Sequence, residues 1–227
     1  MELRIVLVEP EYAFNVGSVC RAMKNFGQSE LFLVNPKCQL GTDAYKGAKH
    51  SKDVLESAKT VRTLKDAVAG CGLIAGTTGI KLRNKGTIRS VIGLRDFLGR
   101  LHRCKSKKIA LVFGREGIGL NERELNECDL LTHIECSPAY PVLNLSHAVA
   151  IILYSISRFS GSQAELPARK SELRALLEIF SGISSKYRRK NNLAPVAFRR
   201  VVSRAAINEQ EARALLNLFR LILEDAG

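Results

Sequence analysis

The sequence predicts an α/β fold with a mostly parallel sheet, followed by a small helical C-terminal domain. Three observations carry this. Short apolar runs alternate with helical periodicity over residues 3–159. Those runs are apolar throughout, the pattern of strands covered on both faces. Beyond Pro167 only helical spacing remains.

The run at 3–9 is rich in β-branched residues and ends at Pro10, as a buried strand does. Residues 11–18 form the loop behind it, and 19–26 a helix closed by Gly27. A second strand at 31–34 stops at Asn35-Pro36. Helices are expected at 53–58 and 64–69, then a strand at 73–77 opening into Thr78-Gly79. A helix covers 94–102. The strand at 109–113 runs into the turn Gly114-Arg115-Glu116-Gly117-Ile118-Gly119. A short helix at 122–127 and a last strand at 130–135 precede a polar turn over 138–144. The helix at 148–159 is apolar on nearly every side and reads as buried, with Ser146 or Asn144 as its cap. Residues 160–164 read as a linker. Past it, Leu173, Leu176, Leu177 and Phe180, then Leu215, Leu218, Phe219 and Ile222, keep helical spacing. The division is therefore residues 1–160 and 161–227.

Composition narrows the function classes. Hydrophobic residues make up 46% of the chain, enough for a core, which excludes a disordered protein. The formal net charge of +13 points to a polyanion such as nucleic acid or an anionic surface. Two stretches concentrate that charge, 81–108 and 181–204. The six cysteines form no C-x-x-C pair and read as reduced and mostly buried, and no zinc spacing is present. No metal is expected. No apolar run approaches the roughly 20 residues that span a bilayer, so the expectation is a cytoplasmic protein without a membrane partner.

In a parallel sheet, ligands gather at the carboxyl ends of strands. Three polar turns follow strand ends, around Thr77, around Gly114 and over 138–144, and they can converge on one site. The glycine turn is neither the dinucleotide fingerprint nor a P-loop. The four histidines are dispersed and suggest no hydrolytic triad.

Three motifs carry a resemblance: Asn15-Val16-Gly17-Ser18-Val19-Cys20-Arg21-Ala22, Phe113-Gly114-Arg115-Glu116-Gly117-Ile118-Gly119-Leu120, and Leu143-Asn144-Leu145-Ser146-His147-Ala148. In this order they resemble the SpoU/TrmH branch of the SPOUT RNA 2′-O-ribose methyltransferases, closest to its TrmJ group. The resemblance covers about the first 160 residues. It implies a trefoil knot at the end of the α/β domain, S-adenosylmethionine as methyl donor, a homodimer, and tRNA as substrate. Within tRNA it implies the nucleotide at the start of the anticodon loop, nucleotide 32. A ribosomal RNA target within the same family is an alternative. So is an RNA-binding protein that has kept the fold and lost turnover.

Carried over by motif, Gly114, Ile134, Val142, Leu143 and Asn144 line the donor pocket, with Thr77 and Thr78 a looser match. Arg21 matches the catalytic arginine and Asn15 the asparagine that helps position it. Because an arginine stays protonated, Arg21 reads as an electrostatic stabiliser of a developing alkoxide, with a role as base left open. Glu116 holds Arg21 or the substrate, and Ser146 orients the substrate or caps a helix. Lys81 and Arg83 lie where related enzymes carry an arginine, and with Arg188, Arg189 and Lys190 they are expected to contact RNA phosphates.

Overall fold

A computed structural model describes residues 2–79, 90–159, 168–186 and 193–225. The first part of the chain runs β1 (Glu2–Val8), α1 (Ala13–Asn25), β2 (Glu30–Val34), α2 (Thr42–Ala48), α3 (Lys52–Glu56), β3 (Lys59–Val61), α4 (Leu64–Ala67) and β4 (Leu73–Thr77). After residues 80–89 it continues with β5 (Val91–Gly93), α5 (Leu94–Arg103), β6 (Lys108–Phe113), α6 (Glu122–Glu127), β7 (Leu130–His133) and α7 (Leu145–Arg158). Three helices end it: α8 (Lys170–Lys186), α9 (Ala194–Ala205) and α10 (Glu209–Asp225).

The seven strands form one sheet in the order β3-β2-β1-β6-β4-β7-β5, and every paired neighbour is parallel. The alternation of side chains sorts β1 between two cores. Leu3, Ile5 and Leu7 face one layer, with Val19 and Met23 of α1, Phe97 of α5 and Val149 and Ile152 of α7. Val6 and Val8 face the other, with Leu64 of α4 and Leu125 of α6. Arg4 falls on that second face among apolar groups. Its guanidinium donates to Ala67 O and Ala69 O at 2.8 Å each and to Glu30 at 3.0 Å, which satisfies carbonyls where α4 ends.

Several boundaries differ from expectation. The helix expected at 19–26 begins at Ala13, so Asn15 and Gly17 are helical residues and not loop. Tyr12, at its N-cap, provides no side-chain cap, so no local signal marks the start. The helix expected at 148–159 begins at Leu145, with Asn144 as its cap: the Asn144 side chain accepts from Ser146 N at 2.9 Å. The helix α2 and the strands β3 and β5 had no legible signal. The two strands have three residues each, too few for a periodicity. Of the cysteines, only Cys20 and Cys128 are buried and the other four are half-buried; all six are free.

α2 is tied to α1 by two glycines. A Cβ on Gly17 would stand 2.0 Å from Ala44 O, and one on Gly47 2.5 Å from Phe14 O. Only hydrogen in place of a side chain permits backbones to pass this closely.

The helices α8, α9 and α10 share an apolar cluster that includes Leu173, Leu176, Val202, Ile207 and Leu216. The rings of Phe180 and Phe198 stack at 4.0 Å, and Phe219 packs against both. Arg100 of α5 donates to Ala206 O at 3.2 Å, and Lys170 donates to Glu127 O. The expected linker at 160–164 lies outside the described residues. Among the described residues no helix is long and apolar enough to cross a membrane.

Candidate active site

The carboxyl ends of β4, β6 and β7 open into one cleft with an internal volume of about 160 Å³. Its walls come from the three polar turns singled out in the sequence: Thr77 and Thr78, the loop from Gly114 to Leu120, and Ile134 through Leu143. Thr77, Thr78, Gly114, Glu116, Ile134, Val142 and Leu143 all line it. Its base is apolar, with Leu120, Leu145 and Ala148. Apolar walls with a rim of backbone donors and acceptors suit a flat heterocycle carrying a polar chain. Spacing alone did not single out Ile118, Leu120, Cys136 and Pro141 as lining residues. The first two belong to the glycine motif, Cys136 precedes the turn at 138–144 and Pro141 lies within it, so only their placement was hidden.

The glycine loop is held from below. Arg115 donates to both oxygens of Glu124 at 2.9 Å, to Glu9 at 2.9 Å and to Gly119 O at 3.2 Å. This bidentate pairing is among the strongest ion-pair geometries, and it fixes the loop against β1 and α6. It also holds the guanidinium well above its ordinary pKa, first through Glu124. Glu124 serves twice, since it also completes a capping box with Asn121. The Asn121-x-x-Glu124 spacing is the local signal of such a box, which the reading of a short helix at 122–127 did not use; the reach of Arg115 to Glu9 has no local signal.

The hydrogen bond from Arg115 lowers the Glu9 carboxyl from 4.5 to about 2, against partial burial and with help from Asn35 and Lys37. A depressed carboxylate contributes stability above its unfolded pKa, and that contribution fades as pH falls from 4.5 to about 2. Denaturation midpoints of the parent and Glu9→Gln should therefore differ near neutrality and converge through this acid window. A difference that stays constant with pH would show that the clamp does not depend on the charged carboxylate.

The first sequence motif joins the cleft through a chain of polar contacts. Glu116, half-buried, accepts from Glu11 N at 3.0 Å, Tyr12 N at 3.4 Å and Asn15 Nδ2 at 3.0 Å. It thus supplies from a distant part of the sequence the cap that α1 lacks locally. Asn15 Oδ1 accepts from Asn144 Nδ2 at 3.0 Å, and Asn144 Oδ1 accepts from Ser146 Oγ at 2.7 Å. Asn15, Glu116, Asn144 and Ser146 are therefore brought together. Asn144 is not in the cleft wall: it caps α7 and braces Asn15. Glu116→Ala should cost about 0.5–2 kcal/mol, the range for a lost helix cap. It should also lower activity beyond that loss, because Asn15 is released. Thermal melting alongside turnover per folded molecule checks this; unchanged turnover would leave Glu116 a cap only.

Arg21 is not part of this cluster. It lies six residues beyond Asn15 on α1, about 9 Å along the axis and turned to another face. Its side chain is exposed and lines a separate open groove with Lys24, Asn25, Lys49 and His50. Among the described residues no hydrogen bond or ion pair joins its side chain to Asn15 or Glu116. Lys81, Arg83, Arg188, Arg189 and Lys190 lie outside the described residues. No group of three His, Cys, Asp or Glu among the described residues could hold a metal ion.

Comparison with known proteins agrees with this geometry. Residues 2–154 match the SpoU rRNA Methylase family. The chain is 34% identical over 227 residues to a tRNA (cytidine-2′-O-)-methyltransferase TrmJ of Methanocaldococcus jannaschii, covering 96% of this chain and 98% of the relative. It is 35% identical over 236 residues to the tRNA (cytidine/uridine-2′-O-)-methyltransferase TrmJ of Escherichia coli K12, covering 97% and 93%. Among solved structures, TrmJ from Z. mobilis superimposes with a TM-score of 0.64 at 26% identity, over 98% of this chain and 99% of that one. The match spans the sheet, the glycine loop and the turn before α7, so the chain belongs to the SpoU rRNA Methylase family.

Proposed function

We propose that this protein transfers a methyl group from S-adenosylmethionine to a ribose 2′-OH of tRNA, at nucleotide 32 of the anticodon loop. One observation carries the reading. A cleft with apolar walls at the ends of β4, β6 and β7, built from the three polar turns, is joined through Glu116, Asn15 and Asn144 to the helix that bears Arg21. The two TrmJ relatives, similar over nearly the whole chain, support tRNA over ribosomal RNA as substrate.

The donor supplies an electrophilic methyl group on a sulfonium. The apolar walls from Leu120, Ile134, Val142 and Leu143 exclude water from it, and the Gly114–Leu120 backbone offers polar partners for its adenosine. Attack by a 2′-oxygen requires that oxygen to shed its proton. Arg21 stands outside the cleft wall of its own chain; in the homodimer of this reading, with its sites near the subunit interface, it keeps its own proton and holds the negative charge that develops, while the hydroxyl proton leaves to water or an RNA phosphate. Asn15 and Ser146, fixed by Asn144, orient the ribose.

In this reading the chain carries a trefoil knot. Its support is that the segment between β7 and α7 lies against both the Gly114 loop and the Thr77 turn. The two-part division at residue 160, a homodimer, a cytoplasmic location, and phosphate contacts from Lys81, Arg83, Arg188, Arg189 and Lys190 belong to the same reading. Incubation with labelled donor and total tRNA, followed by mapping of the modified nucleotide, tests it. Transfer to ribosomal RNA alone, or to no RNA, would overturn the substrate assignment.

A further inference from the structure

We infer that the open groove between α1 and the α2–α3 segment is a phosphate-binding track for the RNA strand that flanks the target nucleotide. This rests on the RNA methyltransferase reading above and names a surface that the basic stretches of the sequence did not point to.

The groove begins at Arg21 and continues over Lys24, Lys49 and His50 to Lys46 and Lys52. Asp53 is the one acid in its lining, and it is taken up by Lys24 at 2.7 Å. Lys46 reaches Asp43 at 3.0 Å, but both side chains are about two-thirds exposed, where such a pair is weak and yields readily to a stronger anion. Arg21, Lys49 and Lys52 have no acidic partner among the described residues. Cations that line one continuous groove add to a shared positive field along it. A structural face would be balanced by acids, and this one is not.

The backbone supports the same reading. Lys49 adopts φ 52° and ψ −110°, a conformation that residues with a side chain rarely take. Strain of this kind persists where the surrounding structure imposes it, and it clusters at functional sites. Gly17 and Gly47 draw α2 against α1, and Lys49, just past the end of α2, lines the same groove as Arg21. The cations are mostly lysines, point charges suited to phosphates and carrying little sequence choice. The half-exposed ring of Tyr45 offers a surface on which a base can stack.

The test is the triple variant Lys46→Gln, Lys49→Gly, Lys52→Gln in the full chain, with tRNA affinity measured across a salt series. Each lost phosphate contact lowers the slope by about 0.7–0.9, so the variant should fall below the parent by roughly 2–3. KM for tRNA should rise at least about tenfold with kcat at saturating tRNA retained, as removal of uniform binding does. Donor affinity should stay the same. Glycine at 49 relieves a strained backbone, so the melting temperature should hold or rise and lost binding cannot be ascribed to unfolding. Lys46→Arg with Lys52→Arg, which keeps the charge, should keep the slope. Parental affinity and slope in the triple variant would overturn the track, as would an equal loss in the arginine pair. If the parent methylated no tRNA while the triple variant still lost RNA affinity, the methyltransferase reading would fail and the track would stand.

Discussion

Arg21→Ala is expected to lower methyl transfer by about 10²–10³, the usual effect of removing one well-placed electrostatic stabiliser. The variant should fold and bind donor as the parent does. The structure explains why these can separate. Arg21 is exposed on α1, makes no hydrogen bond or ion pair among the described residues, and stands outside the wall of the donor cleft. The apolar residues of α1 that face the core, Val16, Val19, Cys20 and Met23, are untouched by the change. Arg21→Lys should recover little, because a planar fork becomes a point charge on a different reach. Single-turnover rates at saturating tRNA, with donor binding by calorimetry, are the measurements. Turnover near the parent's from the folded alanine variant would refute the role.

Gly114→Ala is expected to weaken donor binding by more than tenfold and to destabilise the fold. A Cβ there would stand 2.2 Å from the carbonyl carbon of Gly119 and 2.3 Å from Leu120 N. These are backbone atoms of the same loop, which closes on itself through Gly119 N donating to Arg115 O at 3.0 Å. A larger residue therefore does more than fill space a ligand needs; it forces apart the loop that shapes the cleft. Overpacking of this kind costs about 1–3 kcal/mol, roughly 2–12 °C in melting temperature for a domain of this size. Gly117→Ala is the internal control for stability. A Cβ at 117 meets nothing within 4 Å, so its melting temperature should stay near the parent's. Equal melting temperatures for Gly114→Ala and Gly117→Ala, with donor binding intact, would remove the loop from the site.

The two glycines of the α1–α2 contact illustrate what local reading misses. Gly17 sits within the first sequence motif, yet its reason is Ala44 O on another helix. The start of α1 was misplaced by six residues for a similar cause. Its cap is the carboxylate of Glu116, 105 positions from Glu11, and no window of neighbouring residues contains both. Short edge strands such as β3 and β5 escape detection because three residues bear no period and the neighbouring strand supplies their hydrogen bonds.

The sequence by itself determined the layer architecture, the main strands β1, β2, β4, β6 and β7, and the convergence of three turns on one cleft. Continuous apolar runs must be covered on both faces, and parallel strands place their following loops on one side. The tertiary structure alone decided which polar groups meet there. It joined Asn15 to Glu116 and Asn144, set Arg21 on another face of the same helix, and laid a lysine-bearing segment beside it. Such partners are chosen by strand order and helix packing, in which residues far apart along the chain lie within hydrogen-bond distance in space.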